Sequence, residues 1–195
     1  MNPFELIIIQ PNIIPLNHIQ ELLKLTNQPT SSATVGSGEE KVEKETRHTL
    51  WYPIPYPMLQ NLTSATMSCY QSFIHSKYNS TIKNVEPMQF LGYPIGGHYI
   101  EHNDCENFEG GQWVKIAPRD ISILFYLNDE YTGGELEFTK LGLTIKPQRG
   151  MMIAFPSYKE FAHKVHPVKS GVRYSLVTWL ETEKKVYETI RRERI

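Results

Sequence analysis

The segment YIEHND, residues 99–104, places a His and an Asp two positions apart in a stretch that reads as a β-strand. Aspartate is scarce, since the chain has only three in 195 residues. Alternate side chains of a strand project from one face, so His102 and Asp104 would lie side by side, roughly 7 Å apart along the backbone. With a third ligand from a distant strand, they could complete a two-His-one-carboxylate iron site. The alternative is a surface His beside an Asp at a strand end.

A second candidate is an arginine on an otherwise apolar strand face. In VRYSLVTWLE, alternation puts Arg173 on the same face as Val177 and Trp179, and that face carries no Asp or Glu. A buried guanidinium without a partner is strongly destabilising, so Arg173 implies an anion from the protein or from a ligand. Tyr126 points away from the apolar face of its own strand, ISILFYLN. Arginine and a tyrosine hydroxyl together would suit one end of a dicarboxylate.

Composition excludes several classes of protein. The chain has 20 Lys and Arg against 21 Asp and Glu, which gives no general attraction for nucleic acid. Two cysteines are too few for a disulfide framework, and no apolar run reaches the length of a membrane span. The N-terminus lacks the basic region of a secretion signal. We therefore expect a cytoplasmic protein that acts on neither nucleic acid nor membranes.

Helical patterns occupy the first part of the chain and strand patterns the second. Apolar spacing predicts helices over 15–28 and 56–77, separated by a polar loop at 30–46. After residue 84, eight short strand-like runs follow closely on one another: EPMQFLGYP, GHYIEHND, DISILFYLND, GELEFTK, LTIKP, GMMIAFPS, AHKVHPV and VRYSLVTWLE. This spacing predicts an antiparallel sandwich or barrel and leaves no room for helices between strands.

Four segments together resemble the iron- and 2-oxoglutarate-dependent dioxygenases, within them the prolyl 4-hydroxylase-like branch. They are YPIGGHYIEHND, DISILFYLNDEYTGGELEF, PQRGMMIAFPS and HKVHPVKSGVR. The resemblance implies an α+β fold with a double-stranded β-helix (jelly-roll) core. We expect one dioxygenase domain over 1–195, with helical support and a lid loop in 1–84, the catalytic core in 85–181 and a C-terminal helix in 182–195.

The resemblance also assigns roles to residues. The metal ligands would be His102, Asp104 and a distal His, for which His163 and His166 compete. We favour His163 because it stands ten residues before Arg173, the spacing usual in this branch, whereas His166 stands seven before it and has the opposite strand parity. His166 would then lie on the outer face or at the entrance.

Further residues are assigned to the co-substrate and the pocket. Arg173 would bind the distal carboxylate of 2-oxoglutarate, Tyr126 would donate a hydrogen bond to it, and Tyr93 would touch the co-substrate. Arg47 would help to close the site and Trp179 would line it or belong to the core.

The implied activity is hydroxylation of an unactivated C–H bond with release of succinate and CO2. Fe(II), 2-oxoglutarate and O2 would be required, with ascorbate as the accompanying reductant. A proline in a peptide or protein is the substrate that the resemblance suggests. A free amino acid or other small molecule is the alternative for the same chemistry. A non-catalytic jelly-roll that binds a small acid, and a zinc hydrolase, are the alternatives from other classes.

Overall fold

The computed structural model describes residues 2–27, 31–32 and 45–183. Its helices are α1 (Leu16–Lys24), α2 (Tyr56–Cys69) and α3 (His75–Tyr78). A π-helical turn, Tyr70–Ile74, joins α2 to α3, so both predicted helices are present. No helix in these ranges is long and apolar enough to cross a membrane. Most of the predicted lid loop, and the C-terminal helix from residue 184 onward, lie outside the described residues.

The described residues contain sixteen strands, most of them short. Before the site they are β1 (Ile8–Gln10), β2 (Ser31–Ser32), β3 (Leu50–Tyr52), β4 (Ile82–Val85), β5 (Gln89–Tyr93) and β6 (Tyr99–His102). The middle strands are β7 (Glu106–Glu109), β8 (Gln112–Lys115), β9 (Ile121–Tyr126), β10 (Thr132–Gly133) and β11 (Leu136–Phe138). The last are β12 (Leu143–Ile145), β13 (Met152–Pro156), β14 (His163–Val165), β15 (Val168–Ser170) and β16 (Arg173–Thr182).

Two antiparallel sheets form the jelly-roll core. The larger has the order β1-β13-β9-β16-β5-β3-β2, with β4 also paired to β16, and the smaller has the order β12-β11-β14-β6. Apart from the pairs β2–β3 and β11–β12, strands that are not consecutive in the chain lie next to each other in these sheets, as in a double-stranded β-helix. The predicted α+β fold with a jelly-roll core is confirmed.

The first 84 residues do more than support the core with helices. They supply β1 at one edge of the larger sheet and β2 and β3 at the other. Our expectation that helices precede a separate β region was wrong in this respect. These strands have only two or three residues each, too few for an alternation to appear in the sequence. On α1, Ile19 and Leu22 are buried and face the larger sheet's outer side.

Asp120 holds three elements together at the start of β9. It is 1% exposed, and its carboxylate accepts hydrogen bonds from the Lys115 Nζ at 2.7 Å, the Tyr158 hydroxyl and the Thr182 backbone N–H at 2.9 Å. Burial raises the pKa of Asp120, but the hydrogen bonds from these donors lower it by more, so the net pKa lies below the usual range. The carboxylate therefore stabilises the fold at neutral pH, and this contribution is lost as the pH falls through the lowered pKa.

We expect Asp120→Asn to lower the free energy of unfolding by about 2–3 kcal/mol at neutral pH, because an amide cannot accept from all three donors. Urea unfolding followed by circular dichroism measures this. Asp129→Asn is the matched control, since Asp129 is exposed and pairs with Arg149 at the surface, and its change should stay within about 0.5 kcal/mol. Equal stability of the two variants would contradict a structural role for Asp120.

Candidate active site

His102 and Asp104 of the YIEHND segment lie at the end of β6. Strand β6 ends at His102, and the Asn103 Oδ1 accepts from the backbone N–H groups of Cys105 and Glu106, which turns the chain sharply. Asp104 therefore lies in a turn. Alternation had predicted instead that it would share a strand face with His102. The turn nevertheless brings the two side chains together, with the His102 Nε2 3.6 Å from the Asp104 Oδ1.

Strand pairing places a third candidate ligand, His163, beside His102 and Asp104. His163 at the start of β14 is the direct cross-strand partner of His102, and its Nε2 lies 3.9 Å from the Asp104 Oδ2. One potential ligand atom from each of the three residues falls within 4.8 Å of the others. The structure thus gathers His102, Asp104 and His163 in one group, in agreement with the sequence prediction.

Backbone carbonyl groups two residues earlier in the chain orient both imidazoles. The Nδ1 of His102 lies 2.9 Å from the Ile100 carbonyl oxygen, and the Nδ1 of His163 lies 3.1 Å from the Phe161 carbonyl oxygen. If each Nδ1 carries the proton, each Nε2 presents a lone pair toward Asp104. Burial and the neighbouring His163 lower the pKa of His102 to about 3, so His102 is neutral at neutral pH.

Ser122 fixes the carboxylate of Asp104. Its hydroxyl donates to the Asp104 Oδ2 at 2.5 Å and lies 2.8 Å from the Ser157 hydroxyl. Burial raises the pKa of Asp104, but the two imidazoles and Ser122 lower it more, so the group is ionised. Sequence analysis missed Ser122. The signal was present, because alternation along ISILFY puts Ser122 on the same face as Tyr126.

His166 lies apart from this group. Its Nε2 is 2.6 Å from the Glu137 Oε2, and Glu137 also pairs with Lys164 at 3.0 Å. Glu137 and Lys164 are cross-strand partners on the part of the smaller sheet that remains half-exposed. His166 therefore occupies the outer position that its strand parity predicted.

Arg173 is fully buried with no partner for its charge. It is 0% exposed, and its Nε, Nη1 and Nη2 have no hydrogen-bond partner within the described ranges. Its guanidinium carbon lies 4.6 Å from the ring centroid of Tyr93 and 4.9 Å from that of Tyr126. Burial lowers the pKa of Arg173, but the surrounding phenols raise it more, so the charge is retained. An unsatisfied buried cation of this kind is a candidate receptor for an anion.

Tyr131 is a functional candidate that sequence analysis missed. Its hydroxyl and that of Tyr126 are both buried without a hydrogen-bond partner in the described part of the chain. Burial raises the pKa of both phenols, so each keeps its proton as a donor. Gly134 makes room for this cluster, since a Cβ there would lie 3.0 Å from the Arg173 Cδ and 3.2 Å from the Tyr131 ring. Gly133 and Gly134 both have positive φ, a backbone conformation that favours glycine.

A cavity of about 230 Å³ lies between the two sheets; Arg173, Tyr126 and Tyr131 are not among its lining residues, although the Tyr93 ring that lines it packs against Arg173. His102, Asp104, His163 and Tyr93 line it, and Arg47 and Trp179 also lie in its wall. The Arg119 guanidinium stacks 3.7 Å from the Trp179 ring centroid and bonds to both carboxylate oxygens of Glu86. Trp179 is 7% exposed, so it is both part of the core and part of the pocket.

A larger apolar cavity, of about 430 Å³, lies on the outer face of the larger sheet against α1 and α2. Phe125 and Leu176 line it, and these residues have the opposite parity to those that line the site cavity. The only described group of three metal-ligating side chains is His102, Asp104 and His163, which lies in the smaller cavity. The chemistry therefore belongs to the smaller cavity.

Residues 88–181 match the family model of the 2OG-Fe(II) oxygenase superfamily. These residues, slightly less than half of the chain, form a 2OG-Fe(II) oxygenase domain, and the chain is an enzyme. The matched span contains His102, Asp104, His163 and Arg173, and it coincides closely with the jelly-roll core. The superfamily takes its name from 2-oxoglutarate and Fe(II). The donor set of His102, Asp104 and His163 fits Fe(II), and the buried Arg173 fits a carboxylate of 2-oxoglutarate.

Relatives of this oxygenase carry names that refer to prolyl hydroxylation. A candidate prolyl 4-hydroxylase of Acanthamoeba polyphaga mimivirus is 25% identical over 94% of this chain and 77% of that protein. Human prolyl 3-hydroxylase 2 is 38% identical over 42% of this chain, but the matched part is only 13% of the human protein. A Trichoplax adhaerens prolyl hydroxylase, solved in complex with a hypoxia inducible factor peptide fragment, shares the fold with a TM-score of 0.71 at 20% identity, over 95% of this chain and 87% of that chain.

Proposed function

We propose that this chain is an Fe(II)- and 2-oxoglutarate-dependent hydroxylase of prolyl residues in a peptide or protein. The observation that carries the co-substrate part is the fully buried Arg173, whose three nitrogens find no partner within the described ranges. A buried guanidinium without a hydrogen-bonded partner is energetically costly, which supports an anionic ligand at this position. The prolyl part rests on the names of the relatives and on the shared fold.

His102, Asp104 and His163 would hold Fe(II). The donor set of two neutral nitrogens and one anionic oxygen is the facial triad of non-haem iron oxygenases. The Ser122 hydroxyl would keep the Asp104 carboxylate in position, and the backbone carbonyls of Ile100 and Phe161 would do the same for the imidazoles. These supporting contacts come from the protein itself and would orient the three ligands toward the metal.

Arg173 would bind the distal carboxylate of 2-oxoglutarate, with the Tyr126 and Tyr131 hydroxyls as donors beside it. When bound, Fe(II) with O2 supplies the oxidising chemistry by which 2-oxoglutarate loses CO2 to become succinate and one oxygen atom enters a C–H bond of the substrate. The apolar side chains of Leu124, Leu136 and Val177 line the cavity and would exclude water from it.

The test of substrate class is incubation of the purified protein with Fe(II), 2-oxoglutarate, ascorbate and a proline-rich peptide, followed by mass spectrometry. We expect a gain of one oxygen atom on a prolyl residue together with peptide-stimulated succinate. Succinate formed at the same slow rate with and without peptide would retain the oxygenase and reject peptidyl proline, in favour of a free amino acid or another small molecule. A peptide in which alanine replaces every proline is the matched control.

The assignment of His163 as the distal metal ligand can be tested by mutation. His163→Ala should lose Fe(II) binding and at least about 100-fold in turnover, because one of three metal ligands is removed. His166→Ala should keep both, since His166 contacts Glu137 instead. Metal content measured after gel filtration, together with succinate production, distinguishes the two variants. Loss of iron from His166→Ala with retention in His163→Ala would reverse the assignment.

Tyr131→Phe tests the residue that the sequence did not reveal. Loss of one donor to a bound carboxylate should raise the 2-oxoglutarate concentration needed for half-maximal rate by about 5–10-fold, with little change in the maximal rate. Initial rates at varied 2-oxoglutarate measure this. Tyr174→Phe is a suitable control, because Tyr174 lies on the opposite face of β16, where its ring packs on Tyr52 and Phe90. No change in Tyr131→Phe would remove Tyr131 from the carboxylate site.

A further inference from the structure

A β-hairpin that directly follows Asp104 carries exposed aromatic side chains. Strands β7 and β8 form a separate two-stranded sheet, and Gly110 and Gly111 connect them with positive φ at both positions. A two-residue turn of this kind matches the twist of the strands and fixes their register. Phe108 and Trp113 are direct cross-strand partners, with ring centroids 5.6 Å apart, yet they remain 62% and 36% exposed.

The base of this hairpin is anchored in the core. Glu106 is 5% exposed and accepts from the Lys159 backbone N–H at 2.9 Å, and Lys115 pairs with the buried Asp120 at 2.7 Å. Alternation puts Glu106, Phe108, Trp113 and Lys115 on one face of the hairpin. The aromatic pair therefore lies on the face that is turned toward the body of the protein, whereas Glu109 lies on the opposite face.

Two lysines from the body of the protein meet this aromatic pair. The Nζ atoms of Lys140 and Lys159 lie 5.2 and 5.3 Å from the Trp113 ring centroid, on a surface without other basic side chains in contact with that ring. Neither lysine forms an ion pair with an acidic side chain of the described residues. The surface defined by Phe108, Trp113, Lys140 and Lys159, here the hairpin surface, thus combines exposed rings with two unneutralised cations.

Each part of the hairpin surface is close in the chain to a metal-ligand candidate or to its strand partner. Lys159 stands four residues before His163, and Lys140 follows Phe138, which is the cross-strand partner of His163. The hairpin itself begins one residue after Cys105, the neighbour of Asp104. All four residues therefore lie on chain segments next to those that hold the metal-ligand candidates.

We propose that the hairpin surface binds an acidic, extended segment of the peptide substrate that flanks the hydroxylated proline. This inference rests on the proposed function, and it adds a charge preference to it. Exposed aromatic rings are the surfaces on which extended proline-containing segments dock. Lys140 and Lys159 would pair with Asp or Glu side chains of the same segment.

Fluorescence anisotropy with the full chain tests this directly. Three labelled peptides of equal length share a proline-rich centre and carry Asp, Ser or Lys at the flanks, and each is titrated with Fe(II)- and 2-oxoglutarate-loaded protein without oxygen. We expect the Asp-flanked peptide to bind about 10-fold more tightly than the Lys-flanked peptide at low salt. This difference should shrink in about 0.5 M salt, because the charges are screened.

Variants identify the surface responsible. The double variant Lys140→Glu with Lys159→Glu should abolish or reverse the preference, and Trp113→Ala should weaken all three peptides by about 5-fold. Lys77→Glu and Phe73→Ala, at exposed positions on the helical side, are the matched controls and should bind as the wild type does. Equal binding of the three peptides to the wild type, or an unchanged preference in the double variant, would overturn the proposal.

Hydroxylation measured on the same preparations keeps the two proposals apart. If no peptide gains oxygen but the Asp-flanked peptide still binds through Lys140 and Lys159, prolyl hydroxylation fails and the hairpin surface stands. If all three peptides are hydroxylated with the same half-maximal concentration, the proposed function stands and the hairpin surface fails.

Discussion

Asp104→Ala should reduce 2-oxoglutarate turnover by at least about 1,000-fold. Asp104 is the only anionic member of the candidate metal group, and its oxygens lie 3.6 and 3.9 Å from the Nε2 atoms of His102 and His163. Without it, Fe(II) would be held by two neutral nitrogens alone. A metal contributes several kcal/mol to such a reaction, and each 1.36 kcal/mol is a factor of ten in rate. Succinate production and bound iron, measured together, report the loss.

The other two aspartates are internal controls for this prediction. Asp129→Ala changes an exposed residue and should leave turnover unaltered. Asp120→Asn should lower stability but retain turnover at a temperature at which the variant is folded, because Asp120 contacts Lys115, Tyr158 and Thr182 and none of the metal-ligand candidates. Activity of Asp104→Ala close to that of the wild type would reject the metal assignment.

Arg173→Ala should raise the 2-oxoglutarate requirement by about 100-fold. Removing one partner of a buried charge pair costs about 3 kcal/mol, which is roughly two factors of ten in affinity. The same variant should lose the rise in melting temperature that 2-oxoglutarate gives the wild type, since a ligand stabilises only the state that binds it. Differential scanning calorimetry with and without 2-oxoglutarate measures this independently of catalysis.

Arg149 is a control for the loss of a positive charge elsewhere on the protein. Arg149→Ala removes a half-exposed arginine that pairs with Asp129 and Glu130 at the surface. Its 2-oxoglutarate requirement and its thermal response should match those of the wild type. If Arg173→Ala also matched the wild type in both, the buried arginine would not be the carboxylate receptor.

The central strands of the larger sheet, β9, β13 and β16, were predictable because they are long enough to show their pattern. All eight strand-like runs after residue 84 contain strands, and the parity along β9 and β16 put Tyr126 and Arg173 on the inward face. Short strands were not predictable in this way. The β7–β8 hairpin passed unnoticed in ENFEGGQWVK, although a Gly-Gly between two short polar and aromatic runs is a hairpin signal.

The site was predicted where sequence neighbours or family spacing determined it. His102 and Asp104 are close in the chain, and the ten-residue spacing to Arg173 singled out His163. Contacts made by tertiary packing were missed, even for Ser122, whose position on the same strand face as Tyr126 was visible in the sequence. Ser122 reaches Asp104 from 18 residues away, and Tyr131 reaches Arg173 through a turn that only the two positive-φ glycines make possible.

The most direct test of the central claim is succinate formation from 2-oxoglutarate by the purified protein, compared with the Asp104→Ala variant, in the presence and absence of Fe(II). We predict Fe(II)-dependent succinate from the wild type, a further increase with a proline-rich peptide, and none above background from the variant. If the wild type binds no iron and forms no succinate, or if the variant forms as much as the wild type, the account of an iron oxygenase built on His102, Asp104 and His163 is contradicted.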